Sequence, residues 1–284
     1  SFVRHADDVQ NLISRIRSAG SNAGIIAKIE KPEALENFEE ILEETDGIMV
    51  ARGDLGIEVP SETVPLHQKR MIRACRAAGK PVITATQMLE SMITNPRATR
   101  AESSDVANAV LDGTDAIMLS GETASGKYPV EAVKVMDRIC RSIEKQTSSI
   151  YMNLDFKKPE WKEKQVIESI SYSCVRMAEE VDAKVIATIT HSGTTARRIA
   201  KYRPRVPVVA FTESLDVRRQ LNLVWGVQSV KLSEIFETDK SVQMMEEYLL
   251  NQGYVQKGDR IVIATGIPVT KRGRTNMIKI STIE

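Results

Sequence analysis

Ile25-Ile-Ala-Lys-Ile29, Gly47-Ile-Met-Val-Ala51, Pro81-Val-Ile-Thr-Ala85 and Ala116-Ile-Met-Leu-Ser120 are four short apolar runs whose starts lie 22, 34 and 35 residues apart. Near-continuous apolar runs of this length fit strands buried on both faces. Between them the apolar residues take helical spacing. Pro32 at a first helical position leads Ala34, Leu35, Phe38, Ile41 and Leu42 along one face. Pro65–Ala78 reads as a second helix stopped by Gly79, Ser103–Leu111 as a third stopped by Gly113, and Pro129–Ile143 as a fourth. Strand alternating with helix means a parallel sheet, either open and doubly wound or closed as a barrel.

Beyond this rhythm, the polar stretches Gln146–Ser149 and Phe156–Lys164, the latter with Pro159, mark 148–163 as a linker between segments 1–147 and 164–284. The second segment starts with a helix over Val166–Glu180. Strands are expected at Lys184–Thr190, Val206–Thr212, Val227–Lys231, Arg260–Thr265 and Met277–Thr282, with a helix at Ser241–Asn251. The 284 residues carry 39 Lys+Arg against 38 Asp+Glu, so there is no basic excess to suggest nucleic acid or an anionic membrane. Charges interrupt every apolar run short of a membrane span. Cys75, Cys140 and Cys174 are widely spaced, which predicts free thiols and a cytoplasmic protein. The chain starts at Ser1 in what reads as the end of a strand, suggesting a fragment.

Chemistry-bearing residues follow each of the four runs. The first brings Lys28 and Glu30, the second Arg52, Gly53 and Asp54, the third Thr86 and Gln87, the fourth Ser120 and Glu122. In parallel α/β folds ligands bind at the carboxyl edge of the sheet, so four strands direct chemistry to one rim. Lys28 and Glu30 share a strand face. A plain ion pair is the ordinary reading of such a spacing. A second carboxylate from the neighbouring strand, Asp54, shifts the reading toward a hard cation such as Mg²⁺, with Lys28 facing a phosphate or enolate oxygen. Arg52-Gly53-Asp54-Leu55-Gly56 is either a turn or a set of backbone N–H groups open to an anion. Further on, Thr190, Ser192, Gly193, Thr194 and Thr195 join a strand to a helix, which suits either capping or an anion site. His5, His67 and His191 are dispersed and read as surface or capping residues, and Met88, Met92, Met244 and Met245 as core.

The segments Ile25–Leu35, Ile48–Gly56, Ala85–Met92, Thr99–Glu102, Asp105–Ala109, Ile117–Ala124 and Gln220–Val227 together resemble the pyruvate kinase family, in its order. The resemblance implies the second half of a (β/α)8 TIM-type barrel (strands five to eight) over 1–147, then a smaller α/β regulatory and oligomerisation domain over 164–284. It implies phosphoryl transfer from phosphoenolpyruvate to ADP through a Mg²⁺-stabilised enolate, giving pyruvate and ATP in glycolysis. Lys28 would stabilise the transferring phosphoryl group and the enolate. Glu30 and Asp54 would hold Mg²⁺, or Mn²⁺ in its place. Arg52, Gly53, Asp54 and Thr86 would bind substrate. Ser120 and Glu122 would support the water network that delivers a proton, the donor itself being left open.

The resemblance also implies K⁺, with its ligands and those of the nucleotide in a half of the barrel outside this chain. It further implies a homotetramer, with Asn95–Glu102 as the stretch to inspect for a subunit contact. Residues 190–195 would take the phosphate of an allosteric effector, with Lys271–Arg274 closing over a second phosphate. Two other readings stand beside this one: a different Mg²⁺-dependent enolate-handling barrel, and a non-catalytic effector-binding and oligomerisation fragment.

Overall fold

Val, Ile and Ala dominate the four runs, and in the computed structural model all four pair in parallel, in chain order. The strands are β1 (Ile26–Ile29), β2 (Gly47–Ala51), β3 (Val82–Ala85) and β4 (Ala116–Ile117). The register sets Lys28 beside Met49, Val50 beside Thr84 and Thr84 beside Ile117. The structure describes residues 1–146, 164–235, 237–269 and 275–284. It divides the chain into two compact units, Ser1–Ser149 and Ile150–Glu284. The linker 148–163 and the basic turn Lys271–Arg274 lie outside the described residues.

In the first unit α1 (Ala6–Ser18) precedes β1, and α2 (Pro32–Glu36) and α3 (Phe38–Glu44) follow it. One continuous helix was expected here. Asn37 breaks it, with its side-chain amide donating to the carbonyls of Arg4 and Glu33. The predicted apolar face survives the break: Ala34, Leu35, Phe38, Ile41 and Leu42 are all buried in one cluster with apolar residues of β1, β2 and α5. Fully buried side chains such as Phe38 and Ile41 contribute roughly 1.5–3 kcal/mol each. After β2 the chain turns directly into α4 (Arg52–Glu58), then runs through α5 (Val64–Ala78), which Gly79 ends with φ 68°. Next, α6 (Arg100–Asp112) starts three residues earlier than expected, because Thr99 and Glu102 cap it reciprocally. Finally α7 (Gly121–Ala124) and α8 (Pro129–Glu144) complete the unit. Met88, Leu89 and Met92 are fully buried beneath α6 and α8.

The second unit is a five-stranded sheet flanked by helices. Its elements are α9 (Lys164–Glu180), β5 (Val185–Ile189), α10 (Thr194–Ala200), β6 (Val208–Thr212), α11 (Leu215–Leu221), β7 (Val227–Lys231), α12 (Thr238–Asn251), β8 (Arg260–Thr265) and β9 (Met277–Thr282). The strand order is β7-β6-β5-β8-β9, with β9 antiparallel. The chain winds outward from β5 to β7 and then returns to the other side of β5. The topological switch point therefore lies between β5 and β8, where open α/β sheets form a crevice at their carboxyl ends. Among the described residues no helix is long and apolar enough to cross a membrane.

Candidate active site

The carboxyl edge of the first sheet gathers the expected charges. Lys28 Nζ lies 2.8 Å from Glu30 Oε2 and 3.5 Å from Asp54 Oδ2. Glu30 is 2% exposed, and its other oxygen accepts the Phe2 N–H at 2.6 Å. Burial works against the Glu30 charge, but the hydrogen bonds from Lys28 and Phe2 outweigh it and hold the carboxyl below its ordinary range. The hydrogen bond to Glu30 is the main cause that raises Lys28, with Asp54 adding to it. Lys28 is therefore a permanent cation near neutral pH, suited to charge stabilisation and not to proton abstraction. Among the described residues no group of three or more His, Cys, Asp and Glu could hold a metal. The two carboxylates at Lys28 are hard oxygen donors. They fit Mg²⁺, which takes one or two carboxylates and fills its shell with water and substrate oxygens.

Asp54 and Gly53 stand in the first turn of α4, whose leading N–H groups have no intrahelical acceptor. The glycine-rich stretch expected as a turn or an open backbone is thus the start of a two-turn helix. Gly53 N–H donates to Thr86 Oγ1 at 2.8 Å. A Cβ on Gly53 would sit 3.2 Å from that oxygen, so the close approach of α4 to the end of β3 depends on glycine. Thr86 and Gln87 follow β3 with φ of 67° and 56°. Such backbone costs about 1–3 kcal/mol per residue and persists only where its surroundings over-determine it.

Arg52, expected to touch substrate, is otherwise engaged. Its guanidinium donates to the carbonyls of Ala85 (3.3 Å) and Thr86 (2.8 Å) and to Asp105 Oδ1 (2.6 Å). Its side chain is only 12% exposed, so it needs the Asp105 counter-charge. Asp105 was not singled out from sequence. The available signal was a cation at a buried strand end, which requires an acid somewhere in the fold. Glu122 is also committed. It is 3% exposed, and its two oxygens accept the N–H groups of Leu89 (3.0 Å) and Ser120 (2.8 Å). It ties the loop after β3 to the loop after β4, while Ser120 itself is exposed. Glu102 likewise serves internally, accepting from Ser91 and Thr99.

In the second unit the loop after β5 lies at the switch point. Thr190 Oγ1 accepts the Gly193 N–H at 2.9 Å, and Thr195 Oγ1 meets Thr275 Oγ1 at 2.6 Å. His191 Nε2 lies 3.2 Å from the Val269 carbonyl. Gly193 caps α10, so neither Ser192 nor Thr194 serves as the cap. Those two hydroxyls are 2.9 Å apart on exposed residues, whereas Thr190 and Thr195 are buried. The three cysteines are free. Burial pushes the thiol of Cys140 up to about 11 and that of Cys174 up to about 12, and raises Cys75 as well.

The barrel-domain profile of pyruvate kinases matches residues 1–133, and the alpha/beta-domain profile of pyruvate kinases matches residues 168–281. The chain belongs to the pyruvate kinase family. It is 46% identical over 285 residues to the pyruvate kinase of Clostridium acetobutylicum, covering all of this chain and 60% of that protein. Against the pyruvate kinase of Geobacillus stearothermophilus it is 47% identical over 286 residues, covering all of this chain and 48% of the relative. A crystal structure of a pyruvate kinase from Cryptosporidium parvum superposes with a TM-score of 0.91 at 42% identity, over the whole chain and 58% of that structure. The chain thus spans about half the length of these curated pyruvate kinases.

Proposed function

We propose that the protein carrying this chain transfers the phosphoryl group of phosphoenolpyruvate to ADP, giving pyruvate and ATP, as a cytosolic enzyme of glycolysis. The observation that carries this reading is the meeting of Lys28, Glu30 and Asp54 at the carboxyl edge of four parallel strands. The four strands are taken as strands five to eight of a (β/α)8 barrel. Glu30 and Asp54 would hold Mg²⁺ or Mn²⁺, which supplies Lewis-acid neutralisation and a template for substrate oxygens. The chain's own groups do the rest. Lys28, a fixed cation, offsets the charge of the phosphoryl group in transfer and then of the enolate oxygen. The start of α4 at Gly53 and Asp54 receives the substrate carboxylate through the Asp54 amide, the Gly53 N–H being engaged by Thr86 Oγ1 until substrate competes for it. Thr86 lines the enolate. Ser120 is exposed, with Glu122 fixing its backbone, and supports water that protonates the enolate carbon. K⁺ as a further requirement and a homotetrameric assembly rest on the family alone.

The switch-point loop is proposed to receive a phosphorylated effector, with the Ser192 and Thr194 hydroxyls as donors and Thr190, Gly193 and Thr195 shaping the loop. Turnover of phosphoenolpyruvate and ADP in Mg²⁺ and K⁺, followed with lactate dehydrogenase, tests the reading. Loss of turnover in Glu30→Gln and Asp54→Asn, with Mg²⁺ affinity weakened in both, is the expected result. Full activity in both would reject it.

A further inference from the structure

We propose that Asp105, on α6, is a positioning residue of this site: through Arg52 it holds Thr86 in the left-handed backbone that turns its hydroxyl toward Gly53. The proposal rests on the phosphotransferase reading and adds to it a residue that touches no reactant.

Thr86 is β-branched and sits at φ 67°, a conformation such residues rarely adopt, and Gln87 follows it there. Something must keep both in place. One tie is internal: Thr86 Oγ1 donates to the Ala85 carbonyl at 2.8 Å while accepting the Gly53 N–H. The other tie is Arg52, which brackets the peptide by donating to Ala85 O and Thr86 O. A bracket on a long side chain holds only if its far side is anchored. Asp105 Oδ1 supplies that anchor at 2.6 Å from Nη1, a charge-assisted contact. Gln68 Oε1, at 3.5 Å from the same nitrogen, is at the limit of a hydrogen bond and cannot replace it. Gln68 is itself held from behind, its amide donating to Asp112 at 3.0 Å. Arg52, Gly53, Gln68, Gln87, Asp105 and Asp112 share the wall of one cleft of about 630 Å³ within the first unit. The pair joins α4 to α6 as an ordinary structural ion pair would, but its guanidinium also ends on the two carbonyls that flank the strained peptide.

The test compares Asp105→Asn, Asp105→Glu and Arg52→Lys in the protein that carries this chain. Turnover is read together with the backbone chemical shifts and the HN–Hα coupling of Thr86. The expected result is a folded Asp105→Asn protein whose kcat falls at least roughly tenfold while its Mg²⁺ dependence is unchanged. Thr86 should then leave the left-handed region, and Asp105→Glu should restore much of the rate. Asp105→Asn with normal kcat and KM, or with Thr86 signals unmoved, overturns the proposal. If Asp105→Asn does not fold, Arg52→Lys carries the same two readouts, and an unmoved Thr86 there overturns it equally. Absence of turnover in the unsubstituted protein rejects the phosphotransferase reading, whereas the Thr86 signals still decide whether Asp105 positions it.

Discussion

Lys28 and Glu30, two residues apart on one strand face, meet at 2.8 Å with Glu30 almost fully buried. Their shifts have opposite senses, and each sets one edge of a pH window. Glu30 is depressed below 4.5, so its contribution is complete above that value and is lost as pH falls through the lowered pKa. Lys28 is raised above 10.5, so its contribution is complete below that value and is lost as pH climbs through the raised pKa. Glu30→Gln should therefore cost about 1–3 kcal/mol across the neutral range. The difference from the unsubstituted protein should shrink in acid below pH 4.5. Urea melts at stepped pH measure it. A difference that stays constant into strong acid would contradict the assignment.

Gly53→Ala separates site geometry from stability. In a helix Ala is favoured over Gly by about 1 kcal/mol, yet this Cβ would press on Thr86 Oγ1 at 3.2 Å. The expected outcome is a melting temperature within a few degrees of the parent and a loss of turnover of about tenfold or more. Equal turnover would show that the Gly53–Thr86 contact is dispensable.

Glu122→Gln tests whether that carboxyl is a structural tie. Glutamine offers one acceptor oxygen where two N–H groups, the buried one of Leu89 and the part-buried one of Ser120, need two. Stability should drop by about 1–3 kcal/mol and activity should fall with it. Lost activity with an unchanged melt would instead assign Glu122 directly to proton delivery.

For the second unit, the double change Ser192→Ala and Thr194→Ala removes the two exposed hydroxyls and leaves Thr190 and Thr195 untouched. Protection of the protein against heat by inorganic phosphate or a sugar phosphate should disappear, with the melt in plain buffer unchanged. Protection that persists would place the anion elsewhere.

Local signals made most of the architecture readable. The run of β2 is apolar on both faces, and Pro65 and Gly79 bracket α5 with residues whose backbone preferences fit a start and a stop. Where the local signal conflicts with tertiary context, the reading fails. Two glycines hid α4, because helix propensity argues against Gly53 and Gly56 while the end of β2 imposes the helix. Helix α1 carries a legible stripe, Val9, Leu12, Ile13 and Ile16 at helical spacing, which the reading passed over although Val9, Ile13 and Ile16 pack on the first unit's core. Only Ala116–Ile117 of the fourth run pairs as strand, because Ser120 and Glu122 then hook the chain back to Leu89. The charges at strand ends pointed to Lys28, Glu30 and Asp54. The partners that fix Arg52 and Glu122 lie 53 and 33 residues away in sequence, and no spacing rule reaches that far.

The most direct test of the central claim is coupled turnover of phosphoenolpyruvate and ADP by the purified protein that carries this chain, set beside its Lys28→Met variant. The account predicts turnover that needs Mg²⁺ and falls by at least about 10²-fold in Lys28→Met, with phosphoenolpyruvate KM changed much less. Turnover undiminished by Lys28→Met, or none from the unsubstituted protein, would contradict it.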